Sequence, residues 1–418
     1  MRLRQRWWLI ARQTKRLWFK ATLYCAVGIA TALVAIWLGP FIPPGLAEQV
    51  GADAVDAILG IIASSMLAVT TFSLSILVTA TQAAASTATP RATSLLLEDA
   101  TAQRALSTFL GAFLFSLVGL IALNSGVYSD GARLVLFLAT LIVVALIVAT
   151  LLRWIDHLAG LGRVGETIGR VEHAATKALQ SYRASPLLGA APFAEPPVSA
   201  IAVRHGKVGY IQHLDVSILA DVADDLDATI HVTRRPGGYC DASAPIAHVT
   251  LADRSATLEP EALERIRSAF TVDDRRSFDQ DPRFGLIALS EIGSRALSPG
   301  INDPGTAIDV LATLVRVFAA TPDEEPEVEP AFPCVHLPAL PAEDLIDAAF
   351  MPMSRDGAGM IEVAIRLQKA LAAVANEADP DCARAAREFA GLSLDRAMAK
   401  LDFAPDRERL AREARVAD

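Results

Sequence analysis

The chain has 418 residues, of which 52% are hydrophobic and 20% are charged, and its formal net charge is −9. This composition predicts a protein with both membrane-spanning and soluble parts, and the negative charge argues against nucleic acid as a partner. The four cysteines Cys25, Cys240, Cys334 and Cys382 are far apart, which excludes a zinc ribbon and a C-x-x-C redox motif.

Residues 1–20 combine basic and aromatic side chains, among them Arg2, Trp7, Trp8 and Lys15. Such a segment is typical of a chain that lies at the lipid headgroups. A full apolar span follows it in place of a signal-peptide cleavage site. We therefore expect residues 1–20 to be retained as an interfacial segment.

Residues 21–152 predict a transmembrane domain of four helices. About 20 apolar residues in a helix cross the hydrocarbon core of a bilayer. The four predicted spans are 21–38, 58–82, 106–123 and 134–152. Arginine and lysine cluster before the first span, between the second and third, and after the fourth. By the positive-inside rule, this pattern predicts that both termini are cytoplasmic.

The second span has one face of small and hydroxyl-bearing side chains. This face is formed by Ser64, Ala68, Thr71, Ser75, Thr79 and Gln82. Two interpretations remain open, namely close packing against other helices and the lining of a water-filled pathway. No charged residue lies between Ile58 and Thr81, so no ring of carboxylates favours the pathway. Packing is the commoner use of such a face.

The rest of the chain divides into three predicted regions. Residues 153–197 form a juxtamembrane helix and a proline-rich linker, 198–252 a small α+β module, and 253–418 a helical region with an acidic linker near 321–333. The predicted fold class is therefore a membrane α-helical protein with four transmembrane helices, followed by a cytoplasmic α+β module and a mostly helical C-terminal region.

The densest polar stretch lies between residues 273 and 307. Its candidate residues for a ligand site or a structural polar cluster are Arg276, Asp279, Asp281, Arg283, Asn302 and Asp303. Their oxygen atoms suit a hard cation, but the spacing matches no calcium loop. Capping by Asp303 of a helix that begins at Pro304, together with pairing between arginines and carboxylates, accounts for most of these residues. Capping and pairing are therefore favoured over a metal or active site.

The histidines show no paired metal-ligand spacing, although His213, His231 and His248 fall in predicted strands where they could gather on one sheet face. The chain contains no G-x-S-x-G, no Walker loop and no G-x-G-x-x-G. We therefore expect no catalytic residue, no metal and no cofactor. An enzymatic interpretation rests only on the region from Asp279 to Asp303 and is the weakest.

Five segments of the sequence carry a resemblance to a known family. They are 64–82, 108–117, 209–215, 235–238 and, most specifically, 276–307 with the sequence RSFDQDPRFGLIALSEIGSRALSPGINDPGTA. Together they resemble the domain-of-unknown-function 2254 family of bacterial predicted membrane proteins. The resemblance covers most of the chain. It implies a multi-pass protein of the bacterial inner membrane and brings no settled activity.

Two functions of different classes are expected. The first is a homo-oligomeric channel-like or transport assembly for ions or small solutes, with cytoplasmic regulatory domains and with Thr71, Ser75 and Thr79 nearest the pathway. The second is a membrane-anchored sensor or scaffold whose cytoplasmic domain binds a protein or a small ligand, since more than half of the chain follows the spans. The expected partners are the lipid bilayer and further copies of the chain.

Overall fold

The computed structural model describes residues 17–38, 52–97, 99–125, 129–253, 257–322 and 329–417. Most of the predicted interfacial segment 1–20 and much of the acidic linker near 321–333 lie outside these residues. The chain forms two compact units. The helical unit comprises Arg2–Ser86 and Pro90–Thr167, and the α+β unit comprises Thr87–Thr89 and Ile168–Asp418.

The helical unit is built from long apolar helices. Its elements are α1 (Leu17–Leu38), α2 (Ala52–Thr87), a 3-10 turn (Pro90–Ala92), α3 (Thr93–Leu97), α4 (Ala100–Asn124) and α5 (Asp130–Leu158). The side chains of Asp99 and Ser129 accept hydrogen bonds from backbone N–H groups in the first turns of α4 and α5. These N-caps fix where the two helices begin.

Three helices in the described part of the chain are long and apolar enough to cross a membrane. They are Val55–Ser86, Ala100–Asn124 and Gly131–Leu158, and they contain the predicted spans 58–82, 106–123 and 134–152. The described apolar stretch of α1, Ala21–Val34, is shorter. The first predicted span, 21–38, therefore stays a prediction.

Helices α1 and α4 approach each other through glycine. A Cβ atom at Gly28 would lie 2.7 Å from the carbonyl oxygen of Gly111, and one at Gly111 would lie 3.0 Å from that of Tyr24. A larger side chain at either position would push the backbones apart. Small residues on α1 and α4 thus serve packing within the chain.

The α+β unit contains eight strands and nine helices in its described residues, counting α6, most of which belongs to it. The helices are α6 (Val164–Ala184), α7 (Val216–Asp225), α8 (Pro260–Ser268), α9 (Pro282–Ala296), α10 (Pro304–Ala319), α11 (Ala342–Asp356), α12 (Ile361–Glu377), α13 (Pro380–Lys400) and α14 (Ala404–Ala417). The strands are β1 (Ala190–Pro192), β2 (Ile201–Val203), β3 (Gly209–Leu214), β4 (Ala228–Val232), β5 (Tyr239–Cys240), β6 (Ala247–Leu251), β7 (Phe270–Asp273) and β8 (Phe332–Leu337).

The strands form two sheets. The larger has the order β1-β8-β4-β6-β2, in which β8 is parallel to both of its neighbours and the other pairs are antiparallel. The smaller is the antiparallel sheet β5-β3-β7. The larger sheet includes β1 and β8, which lie outside the predicted module 198–252. Its core contains Ile230, Val249 and Val335 together with Leu219 of α7.

Three histidines form a row across the larger sheet. His231 of β4 pairs in register with His248 of β6 and His336 of β8, while His213 lies on β3 of the other sheet. The rings of His231 and His336 stack with centroids 5.1 Å apart. Their Nδ1–H groups donate to the carbonyl oxygens of Ala194 and Pro192, at 2.9 and 2.7 Å. His336 therefore holds the end of β1, and His231 holds the segment that follows it.

This row predicts a loss of stability at mildly acidic pH. Burial lowers the pKa of the His231 imidazole, and the neighbouring His336 and His248 lower the pKa further. The unfolded chain then binds the proton first, so the stabilisation is complete above a pH of about 6.5 and is lost as the pH falls towards the folded-state pKa. We expect the midpoint of thermal unfolding to drop by roughly 2–4 °C between about pH 7.5 and about pH 5.5 from this residue.

The test is to measure the midpoint of thermal unfolding at these two pH values, for the purified full-length protein and for His231→Gln. The variant should lose part of the pH dependence. His173 is exposed on α6, so His173→Gln is the matched control and should retain all of it. Equal pH dependence in His231→Gln and in the unmodified protein would contradict the prediction.

Candidate functional site

The predicted hydroxyl face of α2 is exposed along its whole length. Its members Ser64, Ala68, Thr71, Ser75, Thr79 and Gln82 are all exposed. The residues that α2 buries include Leu59, Met66 and Leu77. At about 100° per residue, the buried set and the hydroxyl set point in opposite directions. Within the described chain, the face is thus turned away from the other helices.

The exposed hydroxyl groups are bonded to their own helix. Ser64 donates to the carbonyl oxygen of Gly60 at 2.9 Å, Thr71 to that of Ala68 at 2.9 Å, and Thr79 to that of Ser75 at 3.0 Å. These bonds reduce the cost of placing a hydroxyl in lipid. Each oxygen still has lone pairs that can accept a hydrogen bond from water or from another chain.

One hydroxyl of α2 points the other way. Ser73 is buried, and its oxygen accepts a hydrogen bond of 2.9 Å from the indole Nε1–H of Trp154, which is 1% exposed. This bond joins α2 to α5. The sequence does not predict this pair, because nothing in the spacing of 81 positions between Ser73 and Trp154 indicates a contact.

Asp281 is the centre of the second candidate cluster. It caps α9 by accepting a hydrogen bond from the backbone N–H of Arg283, and its carboxylate is 1% exposed. Nε and one terminal nitrogen of Arg276 lie 2.7 and 2.6 Å from its Oδ2 atom. Burial raises the pKa of the Asp281 carboxyl group, and Arg276 and Arg283 oppose that shift. Arg276, Asp281 and Arg283 are therefore brought together.

The other predicted residues lie elsewhere. Asp279 is exposed and accepts a hydrogen bond from Ser277 at 2.9 Å. Asp303 caps α10 through Thr306, and its backbone N–H donates to the carbonyl oxygen of Ala296, the last residue of α9. Since α9 has 15 residues, Asn302 and Asp303 are about 20 Å from Asp281. The six candidates do not form one site.

A cavity of about 590 Å³ opens beside Asp281. Its walls come from the loop after β4, the start of α9 and the start of α11, and its charged lining residues are Arg234, Arg235, Arg276, Arg283, Asp344 and Asp347. Gly237 in that loop has a φ of +82°, and a Cβ atom there would overlap the Asp281 carboxylate. Glycine is thus required where the loop meets the cluster.

Arg235 is a cation beside the cavity that no carboxylate contacts among the described residues. Its guanidinium donates to the carbonyl oxygens of Pro338 and Pro186, at 2.5 and 2.7 Å, and lies over the ring of Tyr182 at 5.4 Å. Burial lowers the pKa of the Arg235 guanidinium. Arg235 belongs to the RPGG motif at 235–238, but the sequence does not predict that it lines a cavity, because its partners lie far away in the sequence.

No group of three or more histidine, cysteine, aspartate and glutamate side chains is placed to hold a metal ion in the part of the chain that the structure describes. The cavity presents guanidinium and carboxylate groups, which bind ligands by charge and hydrogen bonds.

Comparison with known proteins places these features in a family. The model of the family "Predicted membrane protein (DUF2254)" matches residues 14–373. The uncharacterized protein Rv1290c of Mycobacterium tuberculosis and the uncharacterized protein Mb1321c of Mycobacterium bovis are each 26% identical over 320 residues, which cover 72% of this chain and 59% of theirs. The chain thus spans about three fifths of the length of these relatives. No solved structure matches the chain significantly. The chain belongs to the DUF2254 family of predicted membrane proteins.

Proposed function

We propose that the protein is a homo-oligomeric membrane assembly of the channel or transport type, with regulatory domains in the cytoplasm. The observation that carries the proposal is the exposure of the hydroxyl face of α2. A monomer would leave this face in lipid, where hydroxyl oxygens find no further donors. Assembly of several copies around α2 gives those oxygens either partners on a neighbouring chain or water in a central pathway.

The distribution of charge supports an inner-membrane location with both termini in the cytoplasm. Arg91 lies between α2 and α4, and Arg104 lies in the second turn of α4. Arg153 lies in the last two turns of α5, and Arg163 follows that helix. The connection between α4 and α5 carries no basic residue before Arg133. The positive-inside rule then assigns the basic ends of α2, α4 and α5 to the cytoplasmic side.

The test measures ionic current across a bilayer. Purified full-length protein in a planar bilayer should give discrete openings, and Thr71→Leu combined with Ser75→Leu should reduce the unitary conductance at least about twofold, because an apolar constriction disfavours water in a narrow pathway. Phe72 is 67% exposed on the neighbouring side of α2, so Phe72→Leu is the matched control and should conduct normally.

Two results would count against the pathway. One is a silent bilayer from protein whose oligomeric state has been verified by native mass spectrometry. The other is an unchanged conductance in the double variant. In either case the hydroxyl face would serve contact between chains.

The second candidate function is that of a membrane-anchored sensor. It is favoured by the arginine-lined cavity of about 590 Å³ in the α+β unit, a volume within the range of roughly 300–1,000 Å³ of small-molecule sites. The sensor and the channel share this ligand-binding role and differ in whether α2 conducts. Ligand binding by the folded protein without any conductance would favour the sensor.

A further inference from the structure

The charges around the cavity are unevenly paired. Both nitrogen contacts of Arg276 go to Asp281, and Arg283 donates to Asp344 at 3.2 Å. Arg283 Nε lies 3.9 Å from the nearer oxygen of Asp281, too far for a hydrogen bond. The two ion pairs thus occupy two guanidinium groups and one carboxylate of the lining, together with Asp281, which is not part of the lining.

Two cations remain at the wall formed by the loop after β4. Arg235 is bonded to two backbone carbonyl oxygens and contacts no carboxylate among the described residues. Arg234 also lines the cavity, and its side chain is exposed. Arg235 is half-buried, and the Asp281 carboxylate acts on it through its charge without contact. Burial of a cation without a contacting counter-ion is costly, and an anion in the cavity would reduce that cost.

The opposite wall carries the remaining carboxylate. Asp347 lies on α11, one turn after Asp344, and both line the cavity. Burial raises the pKa of the Asp347 carboxyl group, and the negative charge of Asp344 raises it further. A carboxyl group in this setting favours hydrogen bonds with hydroxyl or amino groups of a ligand.

The volume and lining of the cavity limit the kinds of ligand that it could bind. A water molecule occupies about 30 Å³, so a space of about 590 Å³ is far larger than an inorganic anion needs. Guanidinium groups are the side chains that best match phosphate oxygens. Tyr210 and Tyr239 meet edge to face at 5.3 Å beside the same loop, which adds an aromatic surface to the cavity wall.

We propose that this cavity binds a small phosphorylated molecule, with its phosphate at Arg234 in the field of Arg235 and its uncharged polar part towards Asp347. The inference rests on the proposed ligand-binding role of the α+β unit. It names the class of ligand, and it is independent of whether α2 forms a pathway.

The experiment is isothermal titration calorimetry on the full-length protein in detergent micelles. AMP is the phosphorylated probe, adenosine is its dephosphorylated match, and dihexanoyl phosphatidylglycerol below its micellar concentration tests a lipid headgroup. We expect AMP to bind at least about tenfold more tightly than adenosine, because charge-assisted hydrogen bonds to phosphate are lost in adenosine. Tighter binding of the lipid than of AMP would support the phosphate site and assign its source to a headgroup.

Three variants test whether AMP binds in this cavity or is attracted by positive charge elsewhere on the protein. Arg234→Gln should weaken AMP binding about tenfold, and Ala348→Glu, which adds a carboxylate to the cavity wall, should abolish it. Arg265 is 43% exposed and pairs with Asp225 away from the cavity, so Arg265→Gln should bind normally.

Three results would overturn the proposal, given variants that elute and unfold like the unmodified protein. They are the absence of binding by both AMP and the lipid up to about 10 mM, equal affinities for AMP and adenosine, and equal losses in Arg234→Gln and Arg265→Gln. None of these results depends on conductance, so the failure of the ligand site and the failure of the channel are distinguishable.

Discussion

Asp281→Ala is expected to destabilise the α+β unit by about 3–5 kcal/mol, as the removal of one partner of a buried ion pair does. The variant leaves Arg276 without the carboxylate that both of its nitrogens contact, in a position where that side chain is only 16% exposed. It also removes the N-cap of α9. Chemical denaturation of the full-length protein, followed by far-UV circular dichroism, measures the loss.

Asp279→Ala is the matched control for that measurement. Asp279 lies two positions away and is exposed, with a hydrogen bond to Ser277, so its removal should cost less than about 1 kcal/mol. A double variant, Asp281→Leu with Arg276→Met, should recover part of the lost stability because no charge is left without a partner. Equal stabilities of Asp281→Ala and Asp279→Ala would show that the buried pair is not stabilising.

The periodicity of α2 predicted which residues share a face but left open what that face contacts. Ser64, Thr71 and Ser75 repeat at helical spacing, and this spacing is a local property of the sequence. Which side of a span is buried depends on the other helices of the unit. In this chain small residues pack helices together at Gly28 and Gly111, between α1 and α4. The small-residue face of α2 is exposed instead, so small residues alone do not predict which face of a helix is buried.

The arginine cavity could be predicted only in part. Asp303 was expected as a helix cap, and its side chain does accept a bond from the first turn of α10. Asp281 was expected only as a partner of arginines, yet it also caps α9. Asp281 and Asp303 are separated by the length of α9, which the sequence did not reveal. The position of Arg235 at the cavity depends on contacts between elements that are far apart in the sequence. Strand β8 lies about 100 residues after β4 yet pairs with it, and such register has no local signature.

Trp154→Ala should destabilise the helical unit by about 3–5 kcal/mol. The indole is 1% exposed and packs with Met66, Leu77 and Phe109 in one core cluster. Its removal opens a cavity between α2 and α5 and leaves Ser73 without its donor. Unfolding in mixed micelles with increasing dodecyl sulfate, monitored by far-UV circular dichroism, gives the free energy.

Two smaller changes separate the stability that comes from packing of the indole from the stability that comes from its hydrogen bond. Trp154→Phe keeps most of the ring volume and should cost less than half as much, while Ser73→Ala leaves the indole N–H buried without an acceptor and should cost about 1–2 kcal/mol. Leu152 lies on the same helix as Trp154 and is 65% exposed, so Leu152→Ala should be nearly neutral. If Ser73→Ala were also neutral, the bond from Trp154 would not hold α2 in its orientation. The outward direction of the hydroxyl face would then rest on apolar packing alone, because Ser73 lies on the side of α2 opposite to Ser64.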